Sequence, residues 1–406
     1  MKYDLVFEGG GAKGMVFVGA LKVFEAQGHA YERLLGTSAG AITAALLAAG
    51  YDSHEMMDAL QEKRDGRPVF AEFMGVPAAF DEKAVRDSAT RAFLRDLDLP
   101  LIPDFAEAKL DDQIVKVLAS QPRFRHFFSF VERGGWYSAD SFVEWMENKL
   151  NSGTYEAAPR RFGGMTLGQF YEATQSDLSV VASDTSGGRM LVLNHRTAPD
   201  CPLVWAVRMS MNIPLLWQEV IWQAEWGAYR GMDLAGHTIV DGGMLSNFPI
   251  ELFVSSQPTV TAVMGPKTGQ NVMGLLIDDT LPVAGVSIEA KEEKQIDLGS
   301  LRTVQRVMHL INTMMQAHDK MVIEAFERLV VRLPAQGYGT TEFDMSDEKR
   351  TLLVTAGEDA MAAYLAQRPA PKGAQEGAIS KGITPRLPRT DAAARIADRI
   401  AARILG

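Results

Sequence analysis

Three short stretches carry the residue types that could attack an acyl ester. In LLGTSAGAITAALLAAG, Gly36-Thr37-Ser38-Ala39-Gly40 forms a G-x-S-x-G element between an apolar strand pattern and an apolar helical one. That is the setting of a nucleophile elbow, in which Gly36 and Gly40 let the backbone turn sharply and leave room for a substrate. Ser38 would then stand at a helix N-terminus, where unpaired N–H groups and the positive end of the dipole favour developing negative charge. A serine that only caps its helix is the competing reading.

The second stretch is YDLVFEGGGAKGMVFVGAL, where an apolar run enters a knot of glycines. Gly9-x-Gly11-x-x-Gly14 matches a dinucleotide fingerprint, which demands an acidic residue at the end of the following strand. Here Glu32 precedes that strand, and the strand ends in the serine element instead. A nucleotide-binding enzyme therefore ranks last. Acyl transfer needs preorganised N–H donors for a tetrahedral oxyanion, each worth about 3–4 kcal/mol of barrier. Gly9, Gly10 and Gly11 can supply them together with the N–H of Ala39.

The third stretch supplies a base. In HTIVDGGMLSNFPI, Asp241 follows an apolar strand and precedes Gly242 and Gly243. An aspartate at the carboxyl end of a strand in an open α/β sheet points into the crevice where ligands bind. An Asx turn that satisfies its own backbone competes with this reading. His29, His54, His126, His195, His309 and His318 lie in no turn that would present them to Ser38. An aspartate with its ordinary pKa near 3.9 is a feeble base towards a hydroxyl, so Asp241 must be desolvated and aligned to be useful.

These residues need a scaffold. The 406 residues are 47% apolar, enough for a sizeable core, and a net charge of −10 argues against nucleic acid as a partner. Strands are expected at 4–7, 34–36, 178–183, 190–193, 238–240, 260–264, 272–277 and 329–333. Helices are expected at 15–27, 38–49, 53–63, 83–94, 138–150, 166–174, 301–326 and 346–367. Strand and helix alternate early and mix later, which predicts an α/β sheet, parallel in its opening half, with helices on both faces. The single Cys201 reads as packing filler, with nothing near it to depress its pKa.

In order, DLVFEGGGAKG, GTSAG and VDGGMLSNFP resemble the three motifs of the patatin-like phospholipases. SVVASDTSGGRMLVLN and WAVRMSMNIPLLW look like that family's middle blocks. The resemblance implies a three-layer α/β/α fold around a central, mostly parallel sheet. It also implies a Ser38–Asp241 dyad without histidine, and an oxyanion loop through Gly9, Gly10, Gly11, Ala12, Lys13 and Gly14. No cofactor and no metal are implied, and the substrate would be a phospholipid or another acyl-ester lipid. An acyltransferase or thioesterase on the same scaffold, and a catalytically silent lipid-binding module, are the alternatives.

The expected domain plan is a catalytic unit over 1–367, a Pro/Gly-rich linker over 368–390 and a basic amphipathic helix over 391–406. Ile396, Ile400 and Ile404 share one face of that helix and Arg395, Arg399 and Arg403 an adjacent row, so it either lies on an anionic membrane or docks on protein. Trp217, Trp222 and Trp226 either meet a membrane interface or pack on the core. The opening residues hold no apolar signal region, so the expectation is a cytoplasmic chain, with peripheral membrane contact and signal-independent export left open. Oligomeric state is not legible.

Overall fold

The computed structural model describes residues 1–96, 122–267, 271–286, 325–367 and 391–405. One eight-stranded sheet organises them. Its strands are β1 (Lys2–Phe7), β2 (Ala30–Thr37), β3 (Asp177–Asp184), β4 (Arg189–Leu193), β5 (Val220–Ile221), β6 (Thr238–Asp241), β7 (Val272–Pro282) and β8 (Val330–Gln336). The order β3-β2-β1-β7-β8 is parallel throughout, while β4 and β6 both pair with β3 antiparallel and β5 pairs with β6.

The strands read as nearly continuous apolar runs because both faces are covered. Alternate side chains divide between two cores: Leu5, Phe7, Leu34, Val180 and Leu275 belong to one, and Val6, Leu35, Val181 and Leu276 to the other. The first face carries α1 (Val16–Ala26), α2 (Ala39–Ala48), α3 (Leu203–Ser210) and α5 (Asp347–Ala366), and the second carries α4 (Pro258–Met264) and α6 (Asp391–Leu405). This is the expected three-layer α/β/α arrangement.

The register of β3 brings the chemistry together. Strand β2 pairs with it up to Thr37↔Val181, and β6 pairs with it from Asp184 back to Asp241↔Ala182. Because β4 takes the opposite edge along Val180–Asp184, β2 and β6 share one edge end to end. Their tips, Thr37 and Asp241, therefore oppose consecutive residues.

Several local expectations are corrected. Residues 260–264 are helical, within α4, because Pro258 opens a helix at its first position and a short apolar run does not distinguish strand from helix. Residues 83–94 split into Glu82–Arg86 and Ala89–Asp96, where the Ser88 hydroxyl accepts from the Arg91 N–H. Trp217, Trp222 and Trp226 are all buried, and the indole N–H groups of the first two donate to the carbonyls of Phe73 and Gly227. They are core residues, not an outward interfacial belt. Helix α6 docks on the second face through Ala397 and Ala401, whose small side chains allow close approach, and the Ser255 hydroxyl donates to Asp398. Ile400 packs beside them, but Ile396 stays exposed. The side chains of Arg403 and Ile404, the expected linker and nearly all of the expected 301–326 helix lie outside the described residues. No described helix is long and apolar enough to cross a membrane.

Helix α1, which continues directly from the glycine loop, is held by α5 at two facing glycines. A Cβ on Gly19 would stand 1.9 Å from the Val354 carbonyl oxygen, and one on Gly357 2.2 Å from that of Val16. Overpacking typically costs about 1–3 kcal/mol, and a backbone carbonyl cannot rotate away, so the clash outweighs the roughly 1 kcal/mol of helix propensity that alanine gains. Gly19→Ala and Gly357→Ala should each lower the denaturation midpoint. The double variant should lose less than the sum, because both substitutions separate the same helix pair. Unchanged midpoints in chemical denaturation would refute the close crossing.

Candidate active site

Ser38 sits where β2 turns into α2, with φ 52° and ψ −119°. A non-glycine residue held there stores strain on the order of 1–3 kcal/mol and persists only when its surroundings over-determine it. They do. A Cβ on Gly36 would approach the Gly40 carbonyl oxygen to 2.2 Å, and one on Gly40 would approach that of Phe7 to 2.3 Å, so both motif glycines are required to fold the elbow against the end of β1. The Ser38 N–H donates to Ser210 Oγ at 3.0 Å. Ala39 opens α2, so its N–H has no intrahelical acceptor.

Asp241 ends β6 and is fully buried. Its N–H donates to the Asn212 carbonyl at 2.8 Å, and its Oδ1 accepts from the Gly243 N–H at 2.7 Å. The Asx turn is thus present, but it occupies one oxygen only: Oδ2 makes no hydrogen bond among the described residues. Burial pushes the carboxyl up to about 7, opposed by the Ser38 hydroxyl beside it and by the Gly243 N–H, both of which favour the ionised form. Gly242 lies so close to Val181 that a Cβ would stand 2.4 Å from its carbonyl oxygen.

The glycine loop lies directly over the serine. A Cβ on Gly9 would come within 3.0 Å of Ser38 Cβ and 2.2 Å of Asn247 Oδ1, and one on Gly14 within 2.7 Å of Ala39 Cβ. Its N–H groups are not all free. Those of Gly9, Ala12 and Lys13 donate to the carbonyls of Asn247, Thr340 and Gly10. Among the described residues, Gly10 and Gly11 are left without an acceptor, with Gly11 at φ 55° against the Thr340 carbonyl. The Lys13 ammonium is turned to Asp279 at 2.7 Å. The N–H groups of Gly10, Gly11 and Ala39 thus have no acceptor among the described residues.

Sequence reasoning assigned no role to the residues that hold this loop. Glu8 is buried beneath it, accepting from the Ile277 N–H at 2.6 Å and from Asn247 Nδ2 at 3.2 Å. The same Asn247 amide donates to the Gly9 carbonyl at 3.0 Å. Asn247 falls inside the DGGMLSNFP stretch that drew attention to Asp241, which was a signal available to find it.

Ser38, Gly11 and Ala39 line an apolar pocket shared with Met15, Ile42, Leu46, Phe73, Trp145, Trp217 and Phe343. None of the five described histidines lines it. His29 is beside the N-terminus, His54 near Asp58, His126 stacked on Trp136, His195 stacked on Tyr171 and His237 bonded to Asp184. His309 and His318 lie outside the described residues. No group of three His, Cys, Asp or Glu among the described residues is placed to hold a metal ion. Cys201 is buried, which pushes its thiol up and makes it a poor nucleophile. A serine on a strained elbow, a desolvated carboxylate, free N–H donors and an apolar pocket together suit acyl transfer from a hydrophobic ester.

Residues 5–254 match the family model of the patatin-like phospholipases. The uncharacterized protein YqhO of Bacillus subtilis (strain 168) is 28% identical over 374 residues, covering 90% of this chain and 99% of its own. Two solved structures match in part. VipD from Legionella pneumophila matches at 16% identity and a TM-score of 0.41, over 90% of this chain and 67% of its own. The type III effector ExoU of Pseudomonas aeruginosa matches at 18% identity and 0.38, over 90% of this chain and 53% of its own, so the chain spans about half of ExoU. With the family model matched over more than half of its length, and with the general chemistry of a lipid acyl hydrolase, the chain belongs to the patatin-like phospholipase family.

Proposed function

We propose that the protein hydrolyses acyl esters of phospholipids or related lipids through a Ser38–Asp241 dyad. The observation that carries this reading is the fully buried Asp241 beside the Ser38 hydroxyl, with its pKa raised to about 7. Burial removes the weakness of an ordinary aspartate as a base, since a catalytic pKa near the operating pH combines ionisation with affinity for a proton. In the first step Ser38 Oγ bonds to the ester carbonyl carbon as its proton passes to Asp241. The N–H groups of Gly10, Gly11 and Ala39 receive the oxyanion. Collapse expels the lipid alcohol, which takes that proton. Water then attacks the acyl-serine with Asp241 again as base, releasing the fatty acid and restoring Ser38. The apolar pocket holds the acyl chain.

Ser38→Ala should abolish ester hydrolysis and covalent labelling by a fluorophosphonate while the circular dichroism spectrum is retained. Persistent labelling of that variant would place the nucleophile elsewhere. Asp241→Asn keeps the shape but not the proton acceptor and should cost roughly 10²–10⁴ in kcat. A loss under tenfold would remove Asp241 from the base role.

The raised pKa also sets a pH dependence. Activity needs the ionised carboxylate, so kcat/KM should climb through an apparent pKa near 7 and be about 100-fold lower at pH 5 than on the plateau. Stability runs the other way. Folding raises this pKa from 3.8 to about 7, so the folded chain keeps a proton that the unfolded chain releases, and stability falls as pH rises across that window, by at most about 4 kcal/mol. Asp241→Asn should flatten that fall in a pH series of denaturation midpoints. A wild-type activity profile flat between pH 5 and 8 would contradict the assignment.

A further inference from the structure

Helix α3 ends on Ser210, a residue with no part in the chemistry above. A serine inside a helix ordinarily returns its hydroxyl to the carbonyl four residues back or shows it to solvent. Ser210 does neither. It is fully buried, its Oγ accepts from the Ser38 N–H at 3.0 Å, and its hydroxyl donates to the Val181 carbonyl at 2.5 Å. Val181 is the register partner of Thr37, and Gly242 packs on that same carbonyl. Two residues on, the buried Asn212 accepts from the Asp241 N–H at 2.8 Å and donates its side-chain amide to the Ile239 carbonyl at 3.2 Å. One three-residue turn therefore grips the elbow, the β3 carbonyl beside it and the strand that ends on Asp241.

We propose that Ser210 is a positioning residue for the reaction: its hydroxyl pins the strained backbone of Ser38 to the Val181 carbonyl, and the Ser210–Asn212 turn sets the separation of Ser38 and Asp241. The proposal rests on the dyad reading above. Without the hydroxyl, two buried backbone groups lose their partner, and nothing else in the described structure holds the Ser38 N–H. The elbow then relaxes towards less strained angles, moving Oγ away from the carboxylate. Displacements of about 1 Å at a reacting group can cost on the order of 10²-fold in rate.

The test compares Ser210→Ala with Met361→Ala, a buried truncation in α5 outside the site, at a temperature where both remain folded. For Ser210→Ala, kcat on a p-nitrophenyl acyl ester should fall roughly 10–100-fold with KM within about threefold, and the second-order rate of fluorophosphonate labelling should fall in parallel. Met361→Ala should lose at least as much in thermal midpoint yet keep kcat within about twofold, because core truncations cost stability without touching the elbow. If Ser210→Ala does not fold, Ser210→Cys keeps a weak donor and acceptor in similar volume and should lose at least about threefold in kcat and in labelling. Wild-type kcat and labelling in the folded Ser210 variant, or an equal loss in Met361→Ala, would overturn the proposal. Labelling that survives in Ser38→Ala would instead overturn the dyad reading itself, so the two failures are told apart.

Discussion

The arrangement depends on one edge of one strand. Strand β3 offers its near edge first to β2 and then, without a gap in register, to β6 running the other way, so Thr37 faces Val181 and Asp241 faces Ala182. Two segments some two hundred residues apart in sequence are thereby brought together by backbone pairing, before any side-chain contact is considered. Ladder hydrogen bonds are short and directional, and the side-chain period of two means that a slip of one residue would turn Asp241 to the opposite face. The antiparallel entry of β6 is thus what makes the site possible, and a wholly parallel sheet would carry that strand past the elbow in the other direction.

Around this junction the molecule accepts local costs that the core offsets. Ser38 is held at positive φ, and Asp241 is buried with one oxygen lacking a hydrogen bond. Each is unfavourable by itself, since a strained residue costs on the order of 1–3 kcal/mol and an unpaired buried polar atom about the same. They are sustained because the neighbouring positions are glycines at which no side chain fits, and because both backbone N–H groups are tied to the Ser210–Asn212 turn. The desolvation that penalises the fold is the same effect that lifts the Asp241 pKa into a useful range.

Much of this was legible in the sequence, and the parts that were not share a physical reason. Ser38, Asp241 and the glycines stood out because they sit in unusual local patterns: a glycine on each side of a serine, an acid at the end of an apolar strand. The sheet was legible for a similar reason, since strands covered on both faces leave apolar runs such as LVF and SVVA. Short apolar runs without flanking context misled, as in residues 260–264, where Pro258 decided for helix. The tryptophans of 217–226 were ambiguous because an indole suits both a membrane interface and a core with a carbonyl in reach, and here Phe73 and Gly227 supply the carbonyls. Ser210 and Asn212 fall inside the block WAVRMSMNIPLLW, but their roles, like that of Thr340, were beyond reach. Those roles consist of hydrogen bonds to distant backbone, which leave no mark on local composition.

Thr340 also shows that the site is not built from the motif-bearing half alone. The glycine loop leaves β1 on the side of β7, and β7 and the segment after β8 shape it. Ile277 donates its N–H to Glu8 and its side chain fills the space where Gly10 has no Cβ, Asp279 takes the Lys13 ammonium, and the Thr340 carbonyl takes the Ala12 N–H. Each contact occupies a group that would otherwise compete for, or obstruct, the free N–H groups of Gly10 and Gly11. Phe343, whose N–H donates to the Thr341 carbonyl, lines the apolar pocket at the same place. The serine and aspartate are placed by β3, on one side of β2, whereas the N–H groups proposed to receive the oxyanion are placed by β7, on the far side of β1. Parallel pairing of β1 with β2 and β7 keeps the ends of all three at one edge of the sheet, so the two halves of the site meet there.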